Sequence, residues 1–94
     1  MEEKKIVIGL FRKIICSLIC INKKTTNEEL KIKSDIYLNE YITKYDKYVN
    51  EKTFTNSNFI DIIDFCNECY SDSIVFDYAE DVEYGVKELQ KKIK

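Results

Sequence analysis

Proline is absent from the 94-residue chain, and glycine occurs only twice, as Gly9 and Gly85. A fold of many short strands needs a break every few residues, and proline and glycine are the residues that supply breaks most cheaply. Their scarcity therefore points to long helices. Apolar side chains recur with the matching period. Over residues 3 to 21, Val7, Leu10, Phe11, Ile14, Ile15, Leu18 and Ile19 share one helical face, which Ile6, Ile8, Cys16 and Cys20 widen. This helix is expected to be the most buried, and Asn22, Lys23 and Lys24 are expected to end it.

Three more helices follow by the same reasoning. Thr26, with Glu29 three residues on, has the form of a capping box that starts the second. It is expected to run to about Asn50, with Leu30, Tyr37, Leu38, Tyr41, Ile42, Tyr45, Tyr48 and Val49 inside. Its tyrosine rings would fill space between helices while their hydroxyls reach the rim. Glu51 to Asn58 is rich in Thr, Asn and Ser and predicts a loop. Asn58 and Asp61 then open a third helix to about Tyr70, with Phe59, Ile62, Ile63, Cys66, Cys69 and Tyr70 inside. After a connector, Ser71 to Phe76, a last helix is expected from about Asp77 to Ile93, burying Tyr78, Val82, Val86, Leu89 and Ile93. With 45% hydrophobic and 34% charged residues, the expected fold is a single all-α domain over residues 1–94, an antiparallel four-helix bundle.

Charge is distributed unevenly along this frame. Residues 1 to 50 hold ten Lys/Arg against seven Asp/Glu, whereas residues 51 to 88 hold two Lys against ten acids, although the whole chain carries only −2. No basic residue occurs between Lys52 and Lys87, so the usual i,i+4 mixing of Glu with Lys is impossible within that stretch. Asp61, Asp64 and Glu68 fall along one side of the third helix, and Asp72, Asp77, Glu80, Asp81 and Glu83 follow. Crowding like charges opposes folding unless something gains from it. Part of the crowding has a local cause, since acids at the start and lysines at the end of the last helix both suit its dipole. A solvated face accounts for the remainder as one alternative, and a basic partner as the other. For the partner, the candidate binding residues are these eight acids interleaved with Phe65, Tyr78 and Tyr84.

Several chemistries are disfavoured. The chain has no histidine, which removes the commonest general base and a common metal ligand. The acids come without a glycine-rich loop or a substrate clamp, so no enzymatic activity and no cofactor is expected. Direct nucleic-acid binding by the acidic stretch would set carboxylates against phosphates. Cys16 with Cys20 and Cys66 with Cys69 lie within apolar helical stripes, where buried free thiols are more usual than a zinc knuckle. Residues 6 to 21 are interrupted by Arg12 and Lys13, so neither a membrane anchor nor a signal peptide is expected. A cytoplasmic protein follows, as a monomer or as a homodimer through the tyrosine-rich helix.

The C-terminal third, IIDFCNECYSDSIVFDYAEDVEYGVKELQKKI, resembles the ending of the immunity proteins that partner colicin D-type, tRNA-cleaving bacteriocins. The matching positions are Ile63, Asp64 and Cys66 before the connector, then Asp77, Glu80, Asp81, Val82, Val86 and Leu89 after it. KKTTNEEL, Lys23 to Leu30, sits where that family often places a polar turn. The connector lacks the family's proline and Leu-Arg pair, and Gly85 stands where an arginine is more usual. The resemblance implies a helical inhibitor that fills the RNA-binding cleft of a basic nuclease toxin with acids. The same physics suits a phage-encoded nucleic-acid mimic, such as an anti-CRISPR protein. A helical interaction module with a solvated acidic face is the third alternative.

Overall fold

The computed structural model describes residues 2–51 and 59–92, and it folds the apolar repeats into four helices. They are α1 (Glu2–Lys24), α2 (Glu28–Glu51), α3 (Phe59–Cys69) and α4 (Phe76–Lys92). The expected loop residues 52 to 58, including the Asn58 cap, and Ile93 lie outside the described residues. The architecture is the all-α, antiparallel four-helix bundle read from the periodicity. α1 packs against α2 and α4, and α3 closes the ring against the same two helices. The direction of each neighbour is visible in paired residues: Asn22 meets Ser34 while Phe11 meets Tyr45, so α2 runs back along α1.

The core is one cluster. Val7, Phe11, Ile14, Leu18 and Ile21 of α1 meet Leu30 and Tyr41 of α2, Phe59, Ile62 and Phe65 of α3, and Val82, Val86 and Leu89 of α4. This stripe is narrower than the one expected for α1. Ile6 is 47% exposed and Cys16 is also at the surface, because a helix with two packed neighbours cannot bury its far side. On α2, Ile42 and Val49 are exposed rather than inside. Ser34 is fully buried instead, and it donates to Lys31 O at 2.8 Å while accepting from Asn22 Nδ2 at 3.1 Å.

Helix lengths explain the tyrosines. Each of the two long helices spans about 35 Å at 1.5 Å per residue, whereas α3, with 11 residues, spans roughly 16 Å. Tyr37 of α2 meets Phe65 of α3 with ring centroids 5.3 Å apart, so the short helix covers only part of α2. Further along α2, Tyr41, Tyr45 and Tyr48 surround Phe11 at centroid distances of 6.4, 5.9 and 5.9 Å. Wide rings thus fill space between the long helices, as expected for structural tyrosines.

Both short turns at one end of the bundle are tied together. α2 is capped by Asn27 rather than by Thr26: Asn27 Oδ1 accepts from Glu29 N at 2.9 Å and Leu30 N at 3.2 Å. Thr25 Oγ1 accepts from Asn27 N at 3.1 Å and donates to Asp72 Oδ2 at 3.0 Å, joining residues 47 apart in the chain. Asp72 Oδ1 in turn accepts from Ile74 N at 3.0 Å, which fixes the connector and drops Val75 into the core. The buried Gly85 brings α4 against α1, for a Cβ there would stand 2.7 Å from Ile14 Cγ1. Among the described residues no helix is long and apolar enough to cross a membrane.

Candidate partner-binding surface

α3 carries Asp61, Asp64 and Glu68 outside its buried stripe, because acids at i, i+3 and i+7 avoid the positions of Phe59, Ile62, Cys66 and Cys69. Asp61 and Asp64 are exposed and form no ion pair with a described residue. Glu68 is engaged: Lys33 Nζ of α2 donates to both its oxygens, at 2.8 and 3.0 Å, and stands 3.3 Å from Glu29. These contacts raise the Lys33 pKa, the hydrogen bond to Glu68 being the main cause. Tyr37, raised chiefly by burial and next by the Asp61 charge, also links this side of α3 to α2.

On α4 the acids diverge. Asp81 leans toward α1, with Lys13 Nζ at 3.7 Å, and the same ammonium sits 5.4 Å from the Tyr84 ring centroid. Glu83 turns toward the end of α3, where Tyr70 Oη donates to Oε1 at 2.5 Å and Lys87 Nζ donates to Oε2 at 2.5 Å. The two donors hold Glu83 below the usual carboxylate range, Lys87 contributing more than Tyr70. Burial, then the bond to Glu83, pushes the Tyr70 phenol well above its ordinary value. Asp77 and Glu80 remain exposed without an ion pair to a described residue.

The eight carboxylates therefore do not form one continuous face. Glu68 faces α2 and Asp81 faces α1, on opposite flanks of the α3–α4 pair, while Asp72 is occupied as a turn cap. Counter-charges missing from residues 53 to 86 come from Lys13 and Lys33 of the long helices and from Lys87 at the end of the stretch. Phe65 is a correction of another kind: it is 1% exposed, belongs to the core and cannot serve as an anchor. Tyr78 is half-buried and packs against the core. Tyr84 alone among the expected aromatic anchors is open, at 55%.

The arrangement that does emerge lies along the outer side of α4. Phe76, Asp77, Glu80 and Tyr84 follow at i, i+1, i+4 and i+8, so all four share a strip of its surface. Phe76 is 39% exposed and its ring lies 5.0 Å from that of Tyr70. Beside them Tyr70, Glu80, Glu83, Tyr84 and Lys87 line a shallow depression of about 280 Å³. Phe76 was missed as a surface residue, though its one-turn spacing to Glu80 and on to Tyr84 was a usable signal, whereas Tyr70 packs half-buried against the core as expected. No family model matches the chain, and neither a curated protein nor a solved structure was found to be similar to it.

Proposed function

We propose that this protein works by binding another protein, and that the outer strip of α4 is the contact. The observation that carries the reading is the alternation there of exposed aromatic rings, Phe76 and Tyr84, with exposed carboxylates, Asp77 and Glu80, that form no ion pair with a described residue. Rings supply contact area with little rotamer entropy to lose, and they are favoured as interface anchors. Unpaired carboxylates beside them favour a basic partner and speed its approach, an effect that added salt weakens. Asp61 and Asp64 on α3 extend the same preference.

Among basic partners, a nuclease toxin suits the resemblance to colicin D-type immunity proteins, and the protein is then an immunity protein that blocks the cognate enzyme. Its working surface is narrower than a full phosphate mimic, because Glu68, Asp72, Asp81 and Glu83 are committed internally. Binding to a basic nuclease encoded beside this chain, measured at low and high salt, tests the reading. The D77K/E80K variant is expected to keep its helical circular dichroism and to lose binding by at least about tenfold. Unchanged affinity in that variant removes the assigned surface.

A further inference from the structure

The four cysteines, alike in sequence setting, separate into two environments. Cys66 and Cys69 are buried in the core, and burial is the main cause that raises both thiols, Cys69 to about 12. Cys16 is exposed and Cys20 is half-exposed, one turn apart on the side of α1 that no other helix covers. Cysteine is among the most frequently buried residues, so a surface pair in register is unusual. Two further features converge there. Gly9, two turns before Cys16 on the same side, is exposed, and a Cβ at that position would meet nothing within 4 Å. Arg12, Lys13, Lys23 and Lys24 stand within one turn of the pair, and all are exposed.

Helix geometry limits what such a pair can do. Side chains at i and i+4 keep their Cβ atoms about 5–6 Å apart, whereas a disulfide requires roughly 3.5–4.5 Å. An internal disulfide would therefore unwind the helix, while an ion placed between the sulfurs would leave it intact. Among the described residues no group of three or more His, Cys, Asp or Glu side chains is assembled, so a four-ligand zinc site or an oxygen cage is not built within them. Two thiolates with no third ligand suit a soft ion of low coordination number.

We propose that Cys16 and Cys20 form a surface clamp for one soft monovalent metal ion, the cuprous ion being the probe. Both thiols release their protons to solvent, two sulfur–metal bonds form, and no electron is transferred. The complex carries one net negative charge, which Arg12, Lys23 and Lys24 offset, Lys13 being engaged by Asp81. Binding at this site is independent of the protein-binding surface on α4.

Anaerobic titration of the reduced chain with cuprous ion against a chromophoric cuprous chelator tests the clamp, with Cys16→Ser and Cys20→Ser as separate variants. The native chain is expected to retain about one ion per chain, and either variant is expected to lose it with its circular dichroism unchanged. Mass spectrometry after alkylation supplies a readout that does not depend on the variants: the ion should protect the peptide holding Cys16 and Cys20. Retention by both variants, protection only of Cys66 and Cys69, or no retention by the native chain overturns the proposal. So does one ion per two chains with a doubled mass, which would mean four sulfurs from two copies.

Discussion

At the scale of single residues, a methyl group added at Gly85 would lie 2.7 Å from Ile14 Cγ1 and 3.6 Å from Leu10 O, whereas one added at Gly9 would meet nothing within 4 Å. Ile14 is fully buried, and the clash falls on its Cγ1 rather than on the tip of the side chain. Gly85→Ala is therefore expected to add strain of about 1–3 kcal/mol, against roughly 1 kcal/mol gained in helix propensity. A net loss should lower the melting temperature by several degrees. Gly9→Ala should instead stabilise by about 0.5–1 kcal/mol. Equal shifts in the two melting curves would contradict the close α1–α4 contact. Glu83 predicts a pH effect whose sign follows from its lowered pKa. The stabilisation is present above the ordinary carboxylate value, 4.5, and is lost as the pH falls through the lower folded value. Glu83→Gln should accordingly flatten the acid side of a stability profile, measured by urea unfolding from about pH 6 to pH 2. A profile as steep as that of the native chain would show that Tyr70 and Lys87 do not hold this carboxylate in solution.

At the scale of elements, the boundaries are set by side chains that satisfy backbone groups. Both Thr26 and Asn27 can cap a helix, and Thr26 has the better sequence signature because Glu29 follows three residues later. Asn27 takes the cap because Thr25 Oγ1 accepts its N–H and is itself held by Asp72, a residue remote in sequence. Asn27→Ala should destabilise the protein by about 1 kcal/mol, and Thr26→Ala by a few tenths at most. The reverse order in chemical denaturation would restore the capping box. The short α3 has a similar lesson. Its 11 residues are fewer than half of those in either long helix, and Phe11 of α1 packs directly with three tyrosines of α2. Phe11→Ala is expected to cost about 3–5 kcal/mol, a large part of a small domain's total stability. A midpoint within experimental error of the native one would mean that the ring cluster is loosely packed.

At the scale of the whole molecule, the two turns at one end act as a clasp between the α1–α2 and α3–α4 hairpins. Asp72 holds it with both oxygens, one on Thr25 and one on Ile74 N. Asp72→Ala should destabilise by about 1–3 kcal/mol, measured by urea denaturation, because it leaves partners in both turns without their acceptor. An unchanged midpoint would place the joining of the hairpins wholly in the apolar core. The distribution of charge has its counterpart in this architecture. Residues 51 to 88 have a local balance of −8, and pairing with Lys13 and Lys33 places part of that excess against cations from the first half of the chain. Asp61, Asp64, Asp77 and Glu80 form no ion pair with a described residue, and under the proposed function they are the ones offered to a partner.

The amino-acid order by itself determined the fold class, because a chain without proline and with a sustained helical period has few other ways to bury its apolar side chains. It also determined the four helices to within a few residues and the burial of Val82, Val86 and Leu89. Only the tertiary structure decided which carboxylates are occupied, for the lysines that meet Glu68 and Asp81 lie 35 and 68 positions away along the chain. It likewise decided that Phe65 is core, that Phe76 is surface, and that one cysteine pair is covered while the other is open. Periodicity says that a helix has a buried side but not how wide that side is, and the width depends on how many neighbours pack against it.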